Sequence, residues 1–312
     1  VHSFDCLVLI DRLRENRQDL VFISVILLPL IILVGILIYL PAVDSLITSF
    51  TDENLRIRRL PKFIWLKNYS KLLENSEFWI VTARSLLVVA MTLPLELLIS
   101  LGLALLLTEV FPGRAMVRTL ILLPWMLPPI VNGFLWGWLL NGEYGALNGL
   151  LYQIGIIDEY VTWLRNPDTQ VIWVAVVQTW TRFAFPTIIL LAGLQSIPKD
   201  LLDAAKVDGA SSWQSFKNIV LPLLMPSFTV ALTIEFIAAF QIFDVIWTLT
   251  AGGSAGGAIN PFTKTLMLYN YELVFRDLRI GLGAALSYLI LFLSLGVAIV
   301  FVTRLYNQAV KS

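Results

Sequence analysis

Residues 201–222, LLDAAKVDGASSWQSFKNIVLP, carry the strongest signal of how this chain is organised. Apolar residues recur at helical spacing on both sides of Gly209, which predicts two short amphipathic helices. Gly209 separates them, because glycine readily adopts the left-handed backbone conformation that ends a helix. Ser211 or Ser212 is expected to cap the second helix. Pro222 then marks the entry into a long apolar stretch, so a polar helix pair leads into a membrane-spanning segment.

The composition around this segment excludes a water-soluble fold. Of 312 residues, 58% are hydrophobic and 14% are charged, whereas a soluble domain carries about 25% charged residues. The 22 Lys and Arg balance the 22 Asp and Glu, so the excess positive charge that nucleic-acid binding needs is absent. One cysteine and one histidine are too few for a zinc site or histidine-based catalysis. We expect no cofactor, metal or nucleic acid to be bound by this chain.

Six windows with few charges predict six membrane-spanning helices. About 20 apolar residues cross the hydrocarbon core, and an ionised side chain at its centre is costly. Three windows lack charge, and three contain one or two charged residues. They are residues 20–43, 119–142 and 280–303, and residues 85–108, 169–198 and 218–250. The predicted fold class is an all-α membrane protein with about six transmembrane helices.

The loops and tails complete this organisation. Residues 51–79 mix charges with Trp and Tyr, as short helices at a membrane interface do. An even number of spans places both termini on one side, but Lys and Arg are shared equally between the two sides, so charge leaves the orientation open. The predicted regions are a tail at 1–19, a first transmembrane helix at 20–50, the interfacial segment at 51–79, a core of five transmembrane helices at 80–306 that contains the loop 198–222, and a tail at 307–312.

The loop resembles the EAA loop of the membrane subunits of ABC importers, written E-A-A-x-x-x-G-(nine)-I-x-L-P. Asp203 replaces the leading glutamate and is one methylene shorter. Asp208, Ala210 and Phe216 fit the longer version found in sugar permeases. The remaining matches at the family's spacing are Ala204, Ala205, Gly209, Ile219, Leu221 and Pro222.

A second resemblance, to the permeases of carbohydrate ABC importers of the maltose and glycerol-phosphate type, covers most of the chain. Its marks include LKNY at 66–69, FQIFDVIWTLT at 240–250 and GLGAA at 281–285. Ser254 departs from it, standing where a proline often follows a glycine pair, and Ser85 departs where Asn-Thr is usual.

These resemblances imply a type I ABC importer permease fold and import of a sugar or related polyol by ATP-driven alternating access. They further imply that the loop is a coupling helix docked on an ABC ATPase dimer, which binds ATP and Mg. A second homologous permease and an extracytoplasmic solute-binding protein complete the implied assembly. The loop and both termini would be cytoplasmic, in the inner membrane of a prokaryote, and residues 51–79 would face outward.

Three charged residues, Glu96, Arg182 and Glu235, lie within predicted spans, where an ionisable group is a functional candidate. Two readings are open for them. Arg182 pairs with Glu235 or Glu96 and so holds helices together, or the three groups line a water-filled path.

Gln241 and Asp244 are three residues apart, which predicts that they share one helix face near Trp247. Amide and carboxylate groups hydrogen-bond sugar hydroxyls, and an aromatic ring packs against a pyranose face, so these three residues are the first candidates for a solute path. For Trp247 the other reading is an anchor at the membrane interface. Further candidates, which could equally bond neighbouring helices or form the aromatic belt, are Asn132, Trp136 and Gln178.

No G-x-x-x-x-G-K-[ST] phosphate loop occurs in the sequence. ATP would therefore be hydrolysed on another subunit, and we expect a transport subunit rather than an enzyme. The alternative is an ion-coupled secondary transporter, which also places carboxylates mid-membrane but needs no ATPase.

Overall fold

The computed structural model describes residues 25, 27–57, 59–165, 167–251 and 260–303. Within these ranges the chain is helical, and the only extended pairing is an isolated antiparallel bridge between Thr51 and Phe63. The all-α prediction is confirmed. The predicted tails at 1–19 and 307–312 lie outside the described residues, as does Ser254.

The helices are numbered in chain order over the described ranges. They are α1 (Leu27–Ser49), α2 (Lys67–Glu74), α3 (Ser76–Leu106), α4 (Arg114–Met126), α5 (Pro129–Leu139), α6 (Ala146–Gln153), α7 (Pro167–Arg182), α8 (Ala184–Gln195), α9 (Lys199–Val207), α10 (Ser212–Phe240), α11 (Asp244–Ile246, continued by a π-helical turn at Trp247–Ala251), α12 (Leu266–Tyr271, continued by a π-helical turn at Glu272–Arg276) and α13 (Ile280–Phe301).

Four of these helices, α1, α3, α10 and α13, are each long and apolar enough to cross a membrane. Two bent pairs also qualify when each pair is counted as one span: α4 with α5, bent by 95°, and α7 with α8, bent by 50°. The spans therefore number four to six, and the six predicted from the sequence correspond to the upper count.

The expectation of one continuous helix at 119–142 was wrong, because the chain breaks between α4 and α5. Leu127 has extended backbone angles (φ −78°, ψ 138°), as expected for a residue that precedes a proline. Pro128 and Pro129 follow it, and α5 begins at the second of these. The Asn132 amide donates to the carbonyl of Pro124 at 2.9 Å, so a side chain satisfies a carbonyl at the break.

The predicted span at 218–250 also differs from the structure. Its helix, α10, begins earlier, at Ser212, and ends at Phe240. Phe243 has non-helical angles (φ −132°, ψ −60°), and α11 restarts at Asp244. The polar residues near 241–244 therefore lie at a helix break rather than within a helix.

The core forms where α3 packs against α7, α8 and α10, and where α10 packs against α8 and α13. At the crossing of α8 and α10 the backbones approach closely. A Cβ atom added to Gly193 would lie 2.4 Å from Ser227 Oγ, so only glycine fits. By contrast, α1 packs against α13 near its end, and no residue of its apolar window is buried within this chain.

Within the interfacial segment 51–79, α2 is a short helix as expected and α3 begins at Ser76, whereas the described residues between α1 and α2, 51–57 and 59–66, are not helical. The connection is fixed by hydrogen bonds: buried Asn68 donates to the carbonyls of Ser49 and Thr51 at 2.9 and 2.7 Å. Asp52 accepts from the backbone N–H of Lys62 at 2.7 Å and pairs with Arg59. The Lys62 N–H and the Arg59 charge lower the pKa of Asp52.

Candidate functional site

The first candidate site is the loop at 198–222, whose two helices meet at Gly209 as the sequence predicts. Helix α9 ends with the Ala210 N–H donating to the Ala205 carbonyl at 2.9 Å and the Gly209 N–H donating to the Lys206 carbonyl at 3.1 Å. This pair of bonds is a Schellman motif, which requires a left-handed residue after the helix. Gly209 supplies it, with φ +79°.

The second helix of the loop begins with a capping box. Ser211 Oγ accepts from the Gln214 N–H at 3.3 Å, and the Gln214 side chain accepts from the Ser211 N–H at 2.7 Å. Of the two serines considered from the sequence, Ser211 is therefore the cap. The reciprocal bonds satisfy two N–H groups at the start of α10 and fix the direction in which it leaves the loop.

The loop presents a mixed apolar and acidic surface. Val207 is 87% exposed and Trp213 is 69% exposed, and Asp203 and Asp208 are exposed beside them. Asp203 also pairs with Lys206 within α9 at 3.0 Å.

The two alanines of the motif differ in environment. Ala204 is exposed, but Ala205 is buried against its own chain, so only Ala204 is accessible to a partner. The other matched residues, which are half-buried at the base of α10, are Phe216, Ile219, Leu221 and Pro222.

The second candidate site is a cavity of about 500 Å³ beside the helix breaks. Its polar lining combines Gln178 and Arg182 with Gln241 and Asp244. The rest of the lining is Trp125, Leu127, Pro129, Thr181, Ala238, Ile242, Phe243 and Val245. Thr181 was missed from the sequence, although its position three residues after Gln178 places it on the same helix face.

Helix breaks create this cavity. Arg182 ends α7 at the 50° bend, and Pro186 explains the bend, since a proline cannot donate to the carbonyl four residues earlier. The expectation that Gln241 and Asp244 share a helix face was wrong, because Gln241 follows the end of α10 and Asp244 begins α11. Their side chains nevertheless reach the same cavity.

Arg182 forms a two-point ion pair with Glu235, joining α7 to α10. Its Nε lies 2.6 Å from Oε2 and its Nη2 lies 3.2 Å from Oε1. Glu235 is fully buried, whereas the Arg182 side chain is 26% exposed and lines the cavity. Glu96 is also fully buried nearby on α3, and neither of its carboxylate oxygens accepts a hydrogen bond within the described part of the chain. Of the two possible partners, Arg182 pairs with Glu235.

Three of the candidates lie outside this cavity, so their place on a solute path stays a prediction. Trp247 does not line the cavity; it stacks on Phe243 with centroids 5.8 Å apart and also contacts Tyr271. Asn132 and Trp136 line a separate apolar groove between the α4–α5 pair and α7. Asn132 instead bonds the α4–α5 break, as described above.

A buried lysine outside both sites was missed from the sequence. Lys264 Nζ lies 2.6 Å from Glu77 Oε1 and also pairs with Glu272, so it ties the start of α3 to α12. Burial lowers the pKa of Lys264, but the hydrogen bonds to Glu272 and Glu77 outweigh it, and the pKa is raised. The only sequence signal for the burial of Lys264 is that it stands as a single charge between two apolar stretches.

A bundle of bent, apolar helices with a polar cavity at the breaks and an exposed helical loop defines a multi-pass membrane permease. Residues 96–312 match the family described as "Binding-protein-dependent transport system inner membrane component", and the chain belongs to this family. It is an inner-membrane protein and a transport subunit rather than an enzyme, and the match gives no support to an ion-coupled transporter acting alone.

Relatives align over nearly the whole chain. The "Trehalose/maltose transport system permease protein MalF" of Thermococcus litoralis is 36% identical over 94% of this chain and 96% of that protein. The "Sulfoquinovosyl glycerol transport system permease protein SmoG" of Agrobacterium fabrum is 33% identical over 91% of this chain and 90% of that protein. The "Trehalose transport system permease protein SugA" of Mycobacterium tuberculosis is 30% identical over 96% and 92%.

Two solved structures share the fold. One chain, from a bacterial ABC transporter involved in the import of the acidic polysaccharide alginate, has a TM-score of 0.74 and 23% identity, covering 96% of this chain and 99% of that chain. Another, from a bacterial alginate ABC transporter in complex with an alginate pentasaccharide-bound periplasmic protein, has a TM-score of 0.76 and 22% identity, covering 94% and 97%. The predicted ABC importer permease fold is confirmed.

Proposed function

We propose that this chain is the permease subunit that moves a sugar or related polyol across the inner membrane by ATP-driven alternating access. The names of three relatives, which refer to trehalose, maltose and sulfoquinovosyl glycerol, support a carbohydrate. The cavity supports it chemically, because Gln178, Gln241 and Asp244 can hydrogen-bond hydroxyl groups. The π face of Trp125 in the same lining can pack against a sugar ring.

The loop at 198–222 is the proposed contact with an ABC ATPase dimer, which binds ATP and Mg. Val207 and Trp213 offer an exposed apolar contact, and Asp203 and Asp208 offer charges for basic groups on the partner. This assignment places the loop and both termini in the cytoplasm. The observation that supports this contact most directly is that the loop matches the coupling motif and leaves Val207 and Trp213 exposed at the base of α10.

Two further partners belong to this proposal: a second homologous permease and an extracytoplasmic solute-binding protein. The solved alginate transporter was crystallised with a periplasmic protein, which supports the latter. The binding protein would dock on the side opposite the loop, where hydrogen bonds join Lys62 to Asp52 and Asn68 to Ser49.

The test is to co-express this chain with the ATPase and second permease encoded beside it. We would purify the complex on a tag on this chain and measure ATP hydrolysis with and without loaded binding protein. A retained ATPase whose hydrolysis rises with the loaded binding protein is the expected result. Absence of a retained ATPase from the wild-type preparation would overturn the coupling assignment.

A matched pair of variants sharpens this test. Val207→Asp places a charge on the proposed docking surface, and we expect the ATPase to be lost. Val110→Asp is the control, since Val110 is 91% exposed in the loop between α3 and α4, outside the motif. Equal ATPase retention by the two variants would contradict docking through the loop.

A further inference from the structure

We propose that the cavity selects solutes by charge: it admits neutral or cationic carbohydrates and rejects acidic ones, and Asp244 is the selecting residue. This inference rests on the proposed transport function and adds the class of carbohydrate. It follows from the ionisable groups in the lining and from which of them already has a partner.

Asp244 is the unpaired charge of the cavity. Its carboxylate has no ion pair and accepts no hydrogen bond from any residue within the described ranges, and it is half-buried in the lining. It is therefore free to accept hydrogen bonds from a solute. Two adjacent hydroxyls of a sugar can donate to its two oxygens, as to any carboxylate.

Arg182, the other ionisable residue of the lining, does not balance that charge. Its guanidinium is already held at two points by Glu235, whose carboxylate is fully buried behind it. The charges of Arg182 and Glu235 cancel, so the charge that remains in the lining is that of Asp244. Glu96, fully buried beside this pair, adds either nothing or a further negative charge. The sum around the cavity is negative in both cases.

A negative cavity opposes an acidic solute for two reasons. Like charges repel more strongly at the low effective dielectric constant of a partly enclosed site than in water. A carboxylate, sulfonate or phosphate on the solute also finds no free cation to offset its desolvation. A neutral carbohydrate meets neither obstacle, and Gln178 and Gln241 supply both donors and acceptors for it.

The test measures the charge of the cavity directly, using a reporter cysteine and a pair of thiol reagents of similar size and opposite charge. Gln241 is exposed in the lining, so Gln241→Cys in a Cys6→Ser background is the reporter. The permease–ATPase complex in nanodiscs is treated with cationic trimethylammonium-ethyl methanethiosulfonate or with the anionic sulfonate analogue. The rate ratio of the two reagents is then compared with their ratio toward free thiol.

We expect the ratio of the cationic to the anionic rate to exceed the ratio for free thiol by at least about tenfold. The negative cavity attracts the cationic reagent and repels the anionic one, so both effects raise this ratio. Adding Asp244→Asn should remove most of this preference. Glu143→Gln is the control, because Glu143 is an exposed carboxylate outside the cavity, and the ratio should not change. Ala238→Cys provides a second reporter, because Ala238 is half-buried in the same lining.

A rate ratio equal to that for free thiol at both reporters would overturn the proposal, as would an unchanged ratio after Asp244→Asn. The assay requires neither ATP hydrolysis nor a binding protein. Failure of the transport proposal would appear separately, as loss of the ATPase from the purified complex while the reagent ratio remains high.

Discussion

At the scale of single residues, Gly209 shows how one backbone conformation governs the proposed coupling loop. Its φ of +79° lies in the left-handed region, which costs other L-residues about 1–2 kcal/mol. An added Cβ would meet open space, so the requirement for glycine comes from the backbone and not from packing. The angle between α9 and α10 depends on this residue.

Substitutions at Gly209 should separate backbone geometry from side-chain contact. Proline fixes φ near −65° and removes the N–H that bonds the Lys206 carbonyl. We expect Gly209→Pro to lower ATP hydrolysis stimulated by loaded binding protein by about tenfold or more. Asparagine tolerates the left-handed region, so Gly209→Asn should stay within about twofold of wild type. Full stimulation of the proline variant would show that the bend is not needed.

The buried carboxylates Glu235 and Glu96 should respond differently to the same substitution. Glu235→Gln leaves the Arg182 charge without its partner, and breaking a buried pair costs about 3 kcal/mol or more. Glu96→Gln removes a carboxylate that accepts no hydrogen bond in the described structure, so we expect it to be neutral or stabilising. Thermal unfolding of the purified complex measures both. A larger loss for Glu96→Gln would contradict this assignment of the ion pair.

At the scale of helices and loops, local sequence signals explain which parts were predictable. The loop at 198–222 combines helical periodicity, a glycine and a capping serine, and each signal acts within a few residues. The break at 241–243 contains neither proline nor glycine, so nothing local distinguished it from a continuing helix. Its geometry depends on tertiary packing, which composition does not reveal. Leu127 precedes a proline, which is a signal for a helix break. The charge-free window 119–142 nevertheless had the length of one unbroken span, so the break was not predicted.

The tie made by Lys264 between α3 and α12 should stabilise the protein over a defined pH range. Its pKa is raised on folding, so its contribution is fully present below the pKa of an ordinary lysine, about 10.4, and is lost as pH rises through the higher folded value. Lys264→Met should lower stability by about 1–2 kcal/mol. This difference should be constant from pH 6 to 9 and shrink only above about pH 10.5.

Thermal unfolding of wild type and Lys264→Met across this range provides the measurement. Lys71→Met is the control, since Lys71 is exposed and forms no ion pair among the described residues. A difference that already disappears near pH 8 would show that Lys264 is not held charged by Glu77 and Glu272.

At the scale of the whole molecule, the proposed orientation places the coupling loop and the loop between α6 and α7 on opposite sides of the membrane. Lys199 and Glu159 are exposed in these two loops. In a Cys6→Ser background, we expect Glu159→Cys in intact cells to react with a membrane-impermeant maleimide. Lys199→Cys should react only after the membrane is opened. The reverse pattern would invert the assigned topology.

The long-range assembly of the cavity is the part that the sequence could not provide. Gln178, Arg182, Gln241 and Asp244 were each singled out from the sequence, yet their meeting in one cavity depends on two helix breaks. Trp247 was grouped with them because a continuous helix would have placed it nearby. The break turns it instead toward Phe243 and Tyr271.

The close crossing with α8 holds α10 near its middle, so that α10 can act as a lever with one end at the loop and the other beside the cavity. At 1.5 Å per residue its 29 residues measure about 44 Å, from the exposed loop at Ser212 to Phe240, which directly precedes Gln241 of the cavity lining. Ser227, pressed against Gly193, lies near the middle and forms a natural fulcrum. A displacement of a few ångströms at the Ser212 end would then produce a displacement of similar size, in the opposite direction, at the end beside the cavity.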